Sequence, residues 1–277
     1  MKCFYHSADL DGHCSGAIVK YFYPVCELIG INYGDKFPWT SIGRDEVVYM
    51  VDFSLQPFDG MIQLATMTPH FHWIDHHKTA IADYNEHEFR IHGLRRDGIG
   101  ACQLVWEYLS PNDAVPYAIE LLAQYDVWNH SNPETLPFQY GMRLEKTWPA
   151  DNMPLWSDLF RTEAAVKKIV EQGSIVMRYV SQDNEKYCNS CAFETELDGL
   201  RCIAVNKMLT NSQVFDSVWN PEQFDAMLTF GYRKGRWTVS IYTDKPGVDV
   251  SVVAKNRGGG GHKQAAGFQC SELPFKY

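Results

Sequence analysis

Along the first 130 residues, short apolar runs alternate with segments in which apolar positions recur every three or four residues. The short runs predict strands and the periodic segments predict helices. The predicted strands are 2–5, 25–32, 46–53 and 70–75, and the predicted helices are 15–23, 58–67, 101–109 and 118–125. The run 46–53 is apolar on both faces, which is typical of a central parallel strand.

After residue 130 the pattern changes. Four prolines predict an irregular segment that closes the first domain: Pro133, Pro137, Pro149 and Pro154. Residues 158–187 then carry apolar side chains at helical spacing, which predicts one long helix or a broken pair. Beyond it, the pattern predicts hairpins at 191–206 and 226–242 and short capped helices at 211–218 and 249–256.

The alternation of strands and helices predicts an α/β protein whose main sheet is doubly wound and mostly parallel. We expect this domain to cover residues 1–155. A helical connector is expected over residues 156–187, and a smaller α/β domain over residues 188–277. The expected architecture places a cleft between the two domains.

Composition narrows the classes of partner. The chain has a net charge of −9 and 45% hydrophobic residues, and residues 1–187 carry the whole negative excess with 15 Lys and Arg against 25 Asp and Glu. An acidic chain without a basic stripe is not expected to grip long duplex DNA. No apolar run approaches the ~18 residues of a membrane helix. The scattered cysteines, including the Cys188 and Cys191 pair, indicate reduced thiols in a cytoplasm.

Metal-binding residue types follow the predicted strands. The run that ends at Ile74 leads into Asp75, His76 and His77, and two other runs lead into His6 and Asp52. Because parallel strands present their carboxyl ends at one edge of a sheet, these groups are expected to meet there. The candidate ligands, all nitrogen or oxygen donors suited to Mn²⁺ or Mg²⁺, are His6, Asp9, Asp11, Asp52, His76 and Asp126.

Each candidate also has an ordinary structural interpretation. Histidine pairs often serve as core or surface residues, Asp11 could cap the helix that follows it, and Asp52 could begin a turn before Pro57. The glycines at 98 and 100 could approach a phosphate, but a packing turn is the simpler explanation. Convergence of four separate elements on such donors favours a metal site over these alternatives.

The motifs resemble those of the DHH phosphoesterase superfamily. His6, Asp9 and Asp11 match its first motif, Asp52 its second, the triplet from Asp75 to His77 its third, and Asp126 its fourth. The glycine-rich run 258–268 resembles the signature of the C-terminal domain called DHHA1. The two signatures lie near opposite ends, so the resemblance covers nearly the whole chain.

The resemblance implies two divalent cations, Mn²⁺ first and Mg²⁺ or Co²⁺ as alternatives. It implies His6 and Asp9 on one ion, Asp11, His76 and Asp126 on the other, and Asp52 as the bridge. It further implies in-line attack on phosphorus by a metal-bridging hydroxide. Asp75 and His77 are the expected catalytic residues. Substrate-binding residues are expected in the second domain: Arg257, Gly258, Gly259, Gly260, Gly261 and His262.

The function implied is a phosphodiesterase, of exonuclease-like type, acting on short oligonucleotides or small nucleotides. The glycine-rich signature resembles the nucleotide-processing branch and differs from that of the family's pyrophosphatases. An exopolyphosphatase-like phosphohydrolase is the alternative within enzymes, and a nucleotide-binding protein without catalysis is the alternative outside them. The expected partners are the nucleotide substrate and a second copy of the chain in a homodimer.

Overall fold

The computed structural model describes residues 1–277, which divide into the units Met1–Val176 and Met177–Tyr277. The first unit contains a four-stranded, wholly parallel sheet in the order β2-β1-β3-β4. Its strands are β1 (Lys2–His6), β2 (Glu27–Ile31), β3 (Val48–Val51) and β4 (Phe71–Ile74). Its helices before residue 130 are α1 (Leu10–Phe22), α2 (Asp59–Met67), α3 (Lys78–Asn85), α4 (Ala101–Leu109) and α5 (Tyr117–Asp126), with a 3₁₀ turn at Trp39–Ser41.

Both faces of this sheet are covered, because successive side chains of each strand point to opposite sides. Cys3 and Val51 pack with α1, α4 and α5 on one face. Phe4 and Met50 pack with α2 on the other. The α/β class with a mainly parallel, doubly wound sheet is therefore confirmed.

The prediction of an irregular segment after residue 130 is wrong. That stretch forms α6 (Thr135–Met142) and α7 (Met153–Arg161). Pro137 is the third residue of α6 and Pro154 the second of α7, where a missing backbone N–H breaks no helical hydrogen bond. These prolines therefore mark helix starts.

The predicted connector is a broken pair of helices. The break is at Thr162, and α8 (Glu163–Cys191) follows it and crosses the boundary of the two units. The domain limits at residues 155 and 187 stay a prediction. None of the helices is both long enough and apolar enough to span a membrane.

The second unit contains a six-stranded mixed sheet in the order β5-β6-β7-β8-β10-β9. All its neighbouring strands are antiparallel except β6 and β7. The strands are β5 (Phe193–Leu197), β6 (Leu200–Val205), β7 (Ala226–Arg233), β8 (Arg236–Tyr242), β9 (Gly260–His262) and β10 (Ala265–Cys270). A 3₁₀ turn at Ser212–Phe215 and the helix α9 (Val250–Lys255) complete it. Both predicted hairpins are present.

Candidate metal centre

Three neighbouring parallel strands deliver polar side chains to one edge of the first sheet. His6 is the last residue of β1, Asp52 follows β3, and Asp75 to His77 follow β4. Because β1, β3 and β4 run in parallel and adjoin, their carboxyl ends lie side by side. This edge is where open α/β sheets bind ligands.

Asp52 lies at the middle of the cluster. One carboxylate oxygen, Oδ2, is 3.5 Å from His6 Nδ1, and the other, Oδ1, is 3.4 Å from His76 Nε2. The residue is 1% exposed, yet neither oxygen accepts a hydrogen bond of normal geometry. Its backbone has a positive φ of 55°, a left-handed conformation that costs energy in most residues and that aspartate tolerates better than most. A buried carboxylate without hydrogen bonds is costly unless a cation binds it.

The remaining predicted ligands form two groups that face opposite oxygens of Asp52. In the first, Asp9 Oδ2 is 3.0 Å from His6 Nδ1. In the second, His76 Nε2 is 3.2 Å from Asp126 Oδ2 and 3.8 Å from Asp11 Oδ2. The donor atoms within each group all lie within 4.8 Å of one another. The structure therefore brings all six predicted ligands together.

The start of α1 fixes Asp9 and Asp11, in a way that differs from the sequence interpretation. Asp9, and not Asp11, caps α1, since its side chain accepts a hydrogen bond from Gly12 N at 2.9 Å. Asp11 is buried and accepts hydrogen bonds from Ala101 N and Cys102 N, both at 2.7 Å. It therefore caps α4, ninety residues along the chain. Gly12 is required because a Cβ there would lie 2.0 Å from the carbonyl oxygen of His6.

Asp75 is wholly buried and holds the loop that carries both histidines. Its Oδ1 accepts hydrogen bonds from His76 N at 2.7 Å and from His77 N at 3.2 Å, and lies 2.7 Å from His77 Nδ1. Its Oδ2 accepts a hydrogen bond from Trp73 Nε1 at 3.2 Å. Asp75 therefore positions the His77 ring and the loop backbone, while His76 turns towards Asp52.

The carboxylates of the cluster lie close together and have little contact with water, and this shifts the pKa values of the cluster. Burial and the nearby charge of Asp52 raise the pKa of Asp11 to about 7. Burial and the nearby charge of Asp11 raise the pKa of Asp126 to about 7. Burial lowers the pKa of His6 and His76, but neighbouring carboxylates outweigh it and raise both values to about 10. The protein alone thus draws protons into the cluster. A divalent cation would supply the same positive charge.

The donor set fits divalent cations. It consists of imidazole nitrogens and carboxylate oxygens, without a thiolate, as Mn²⁺ and related ions prefer. The two oxygens of Asp52 and Nδ1 of His6 are buried atoms without hydrogen-bond partners, and they point at the two groups of ligands. The fit therefore rests on unpaired atoms as well as on residue types.

One aromatic neighbour of the cluster was missed from the sequence. Tyr33 follows β2 and is about half exposed, and its ring meets the His6 ring edge-on at 5.7 Å between centroids. It also packs on Phe53, the residue after Asp52, at 4.7 Å. The available signal was its position after a fourth strand that ends at the same sheet edge.

In the second unit the glycine-rich run is part of the sheet and not a free loop. Gly260 to His262 form β9, which pairs with β10. A Cβ on Gly259 would lie 2.1 Å from Gly267 O, so this glycine is required by close packing. His262 is exposed, whereas the guanidinium of Arg257 is bound by both carboxylate oxygens of Asp198. The substrate-binding role of these residues stays a prediction.

Comparisons with known proteins find similar sequences and similar folds. No protein-family model matches the chain. The chain is 26% identical over 315 residues to the uncharacterized protein R106 of Acanthamoeba polyphaga mimivirus, covering 98% of this chain and 69% of R106. It is 25% identical over 221 residues to oligoribonuclease NrnB of Bacillus subtilis strain 168, covering 73% of this chain and 53% of NrnB. The match therefore spans about half the length of NrnB.

Two solved structures show the same fold. The pGpG-specific phosphodiesterase PggH of Vibrio cholerae has a TM-score of 0.58 at 14% identity and covers 97% of this chain and 92% of its own. The DHH domain of a member of the S1p family of ribosomal proteins has a TM-score of 0.57 at 13% identity, with coverages of 96% and 81%. At this level of identity the two structures show a shared fold, and the residues whose motifs resemble the DHH phosphoesterase superfamily lie in one cluster of this fold.

Proposed function

We propose that the chain is a divalent-metal-dependent phosphodiesterase that hydrolyses short oligonucleotides or small nucleotides. The observation that carries the proposal is Asp52, a buried carboxylate whose two unpaired oxygens face separate groups of ligands. A carboxylate so placed suits two cations held side by side, an arrangement used for attack on phosphorus.

In this proposal His6 and Asp9 would hold one ion, and His76, Asp11 and Asp126 would hold the other, with Asp52 available to both. Bound ions would neutralise phosphoryl oxygens and make water a nucleophile at neutral pH. Mn²⁺ is the first candidate because the donors mix nitrogen and oxygen.

We assign the remaining steps of catalysis to side chains of the protein. Asp75 holds His77 through Nδ1, so Nε2 is the ring nitrogen available to a substrate. Burial lowers the pKa of His77, but Asp75 outweighs it and raises the value above its ordinary range, which favours the protonated ring. We assign to His77 the transfer of a proton from Nε2 to the leaving oxygen, or a hydrogen bond to a phosphate oxygen. Asp75 is a positioning residue in this scheme.

The substrate class is supported by two relatives. One relative is named an oligoribonuclease and one structural neighbour a pGpG-specific phosphodiesterase. Both names describe short nucleotide phosphodiesters. The acidic first unit, with a net charge of −10, also disfavours a long polyanion, whose binding would have to overcome that charge. The glycine-rich run with His262 is our candidate for contacts to the nucleotide.

The test is a hydrolysis panel on metal-stripped protein with and without Mn²⁺. Its substrates are a dinucleotide, an oligoribonucleotide, a cyclic dinucleotide and linear polyphosphate. We expect Mn²⁺-dependent cleavage of a nucleotide substrate and no turnover after chelation. Turnover that survives exhaustive chelation would exclude the metal-dependent reaction, and cleavage of polyphosphate alone would exclude the nucleotide substrate.

A further inference from the structure

A basic groove lies on one face of the second sheet, at the tip of the hairpin formed by β7 and β8. Its walls are that tip and the segment 207–210, and it has a volume of about 620 Å³. Gly231 makes the wall possible, because Met208 packs where a side chain would be. A Cβ on Gly231 would lie 2.1 Å from Met208 Cγ. The groove is therefore built by packing of the segment onto the sheet.

The groove is lined by cations and by no carboxylate. Lys207, Arg233, Lys234 and Arg236 contribute to it. Lys207 has a partner in Asp183, at 3.6 Å. The side chains of the three hairpin cations form no ion pair or hydrogen bond within the chain. In a protein with a net charge of −9, three adjacent unpaired cations indicate an anionic ligand.

The floor of the groove is polar and neutral. Thr229 pairs with Ser240 across β7 and β8, and Thr238 pairs with Gln269 across β8 and β10. Residues that pair directly across strands share a face, so these four side chains face the groove together. They offer hydrogen-bond donors and acceptors. A nucleotide can use both through its bases and sugars, whereas polyphosphate offers acceptors only.

The same face carries the glycine-rich run at its other end. His262, Ala265 and Tyr242 pair directly with one another across β9, β10 and β8, in the same register as the groove residues. From Ala265 to Gln269 the strand advances four residues, or about 14 Å. A stacked single strand advances about 3.4 Å per nucleotide, so this span corresponds to about four nucleotides.

We propose that the basic groove binds the phosphodiester backbone of a single-stranded oligonucleotide that is longer than a dinucleotide. The inference rests on the proposed function and deepens it by naming the longer substrate. A dinucleotide held near His262 would end before the hairpin. A pentanucleotide would place its distal phosphates beside Thr238 and Gln269, two residues along β8 from Arg236, whose side chain and that of its pair partner Arg233 can extend towards them.

The test compares two double variants in equilibrium binding. R233Q/R236Q removes two groove cations, and R178Q/K186Q removes two exposed cations of α8 in the same unit. Fluorescence anisotropy is measured with a labelled pentaribonucleotide and a labelled dinucleotide in EDTA, over a series of salt concentrations. Thermal melts check that both variants remain folded.

We expect R233Q/R236Q to weaken pentanucleotide binding about tenfold or more and to reduce the salt slope by about 1.4, since each single-strand phosphate contact contributes about 0.7. Dinucleotide binding should change less than about twofold, and R178Q/K186Q should match the parent. Three results would overturn the groove: no binding of pentanucleotide by the parent, equal losses in both double variants, or equal losses for both ligands. Displacement of the pentanucleotide by pentapolyphosphate at equal concentration would overturn the nucleotide assignment.

The experiments distinguish a failure of the groove-binding proposal from a failure of the proposed function. If only the groove fails, the parent and R233Q/R236Q cleave dinucleotide alike with Mn²⁺, and pentanucleotide binding is unaffected by the substitutions. If only the proposed function fails, no substrate is cleaved, while the loss of pentanucleotide binding in EDTA is still observed.

Discussion

At the scale of single residues, the candidate metal centre depends on one side chain held in an unfavourable state. Asp52 combines burial, a left-handed backbone and two unpaired oxygens. Each of these costs folding free energy. The nearby rings of His6 and His76 offset only part of the cost, since burial still raises the pKa of Asp52 above its ordinary value. Binding of a cation to Asp52 would offset this cost in folding free energy. Stability and function should therefore respond in opposite directions when this carboxylate is neutralised.

We expect Asp52→Asn to lose activity by about a thousandfold or more, because the proposed shared ligand of both ions becomes neutral. In EDTA the same variant should unfold at a higher temperature than the parent, since a buried charge that His6 and His76 compensate only in part is gone. Turnover and thermal unfolding are measured on the same samples. Asp45→Asn, an exposed aspartate before β3, is the matched control and should change neither. Parental turnover in Asp52→Asn would contradict the bridging role.

At the scale of elements, the site depends on how helix starts meet the sheet edge. The amides that open α4 hold Asp11, and Gly100 lets this end of α4 approach α5. The packing turn favoured for this glycine from the sequence is therefore what the structure shows. The positions of α4 and of Asp11 are set together, although ninety residues separate them along the chain.

We expect Gly100→Ala to destabilise the protein by about 1–3 kcal/mol, because a Cβ would lie 2.5 Å from Ala123 Cα. Displacement of α4 should also withdraw the amides from Asp11 and weaken Mn²⁺ binding. Chemical denaturation and metal titration measure the two effects. Gly43→Ala is the control, since its Cβ would meet nothing closer than 3.7 Å. Equal stability of the two variants would show that α4 can move without cost.

In the second unit, Asp225, the residue before β7, forms ion pairs with Arg201 of β6 and with Lys245. Asp225 accepts hydrogen bonds from Arg201 Nε at 3.2 Å and Lys245 Nζ at 2.5 Å. Hydrogen bonds from Arg201 and then Lys245 lower the pKa of Asp225 well below its ordinary value. A lowered folded-state pKa contributes stability that is present above about pH 4 and is lost as the pH falls further.

We expect Asp225→Asn to lower stability at pH 7 by about 1 kcal/mol, a modest value because solvent screens the pairs. The difference from the parent should shrink below about pH 4. Urea unfolding at several pH values, followed by hydrogen exchange in peptides that cover residues 226–242, measures it. Glu272→Gln carries the same change of charge at an exposed position without an ion pair. A difference that stays constant with pH would contradict the assignment.

The sequence predicted the elements that depend on local periodicity and missed those that depend on distant contacts. The strands around the metal centre and the helices α4 and α5 follow from short-range patterns. Pro137 and Pro154 were misread because a proline at a helix start and one in a loop look alike without the neighbouring turn. The cap that Asp11 provides to α4, and the contact of Tyr33 with His6, join segments that only the folded chain brings together.

At the scale of the whole molecule, charge is divided between the two units. Met1–Val176 carries a net charge of −10 and includes every proposed metal ligand, whereas Met177–Tyr277 carries +1 and includes the basic groove. Cations should therefore act on the first unit and polyanions on the second. Binding of a cation and binding of a polyanion should therefore change different parts of the chain, and each can be measured in its own unit.

Metal binding should stabilise the first unit selectively. Any ligand that binds only the folded state stabilises it by mass action, by about 2.7 kcal/mol at a hundredfold excess over its dissociation constant. In hydrogen exchange we expect Mn²⁺ to increase protection in peptides that cover residues 5–12, 51–53, 74–77 and 118–126. Peptides that cover 226–242 should not change, and EDTA should reverse the effect. Asp52→Asn should abolish it, while Asp45→Asn should preserve it. Protection that rises equally in both units, or that persists in Asp52→Asn, would mean that the ion does not bind at the carboxyl ends of β1, β3 and β4.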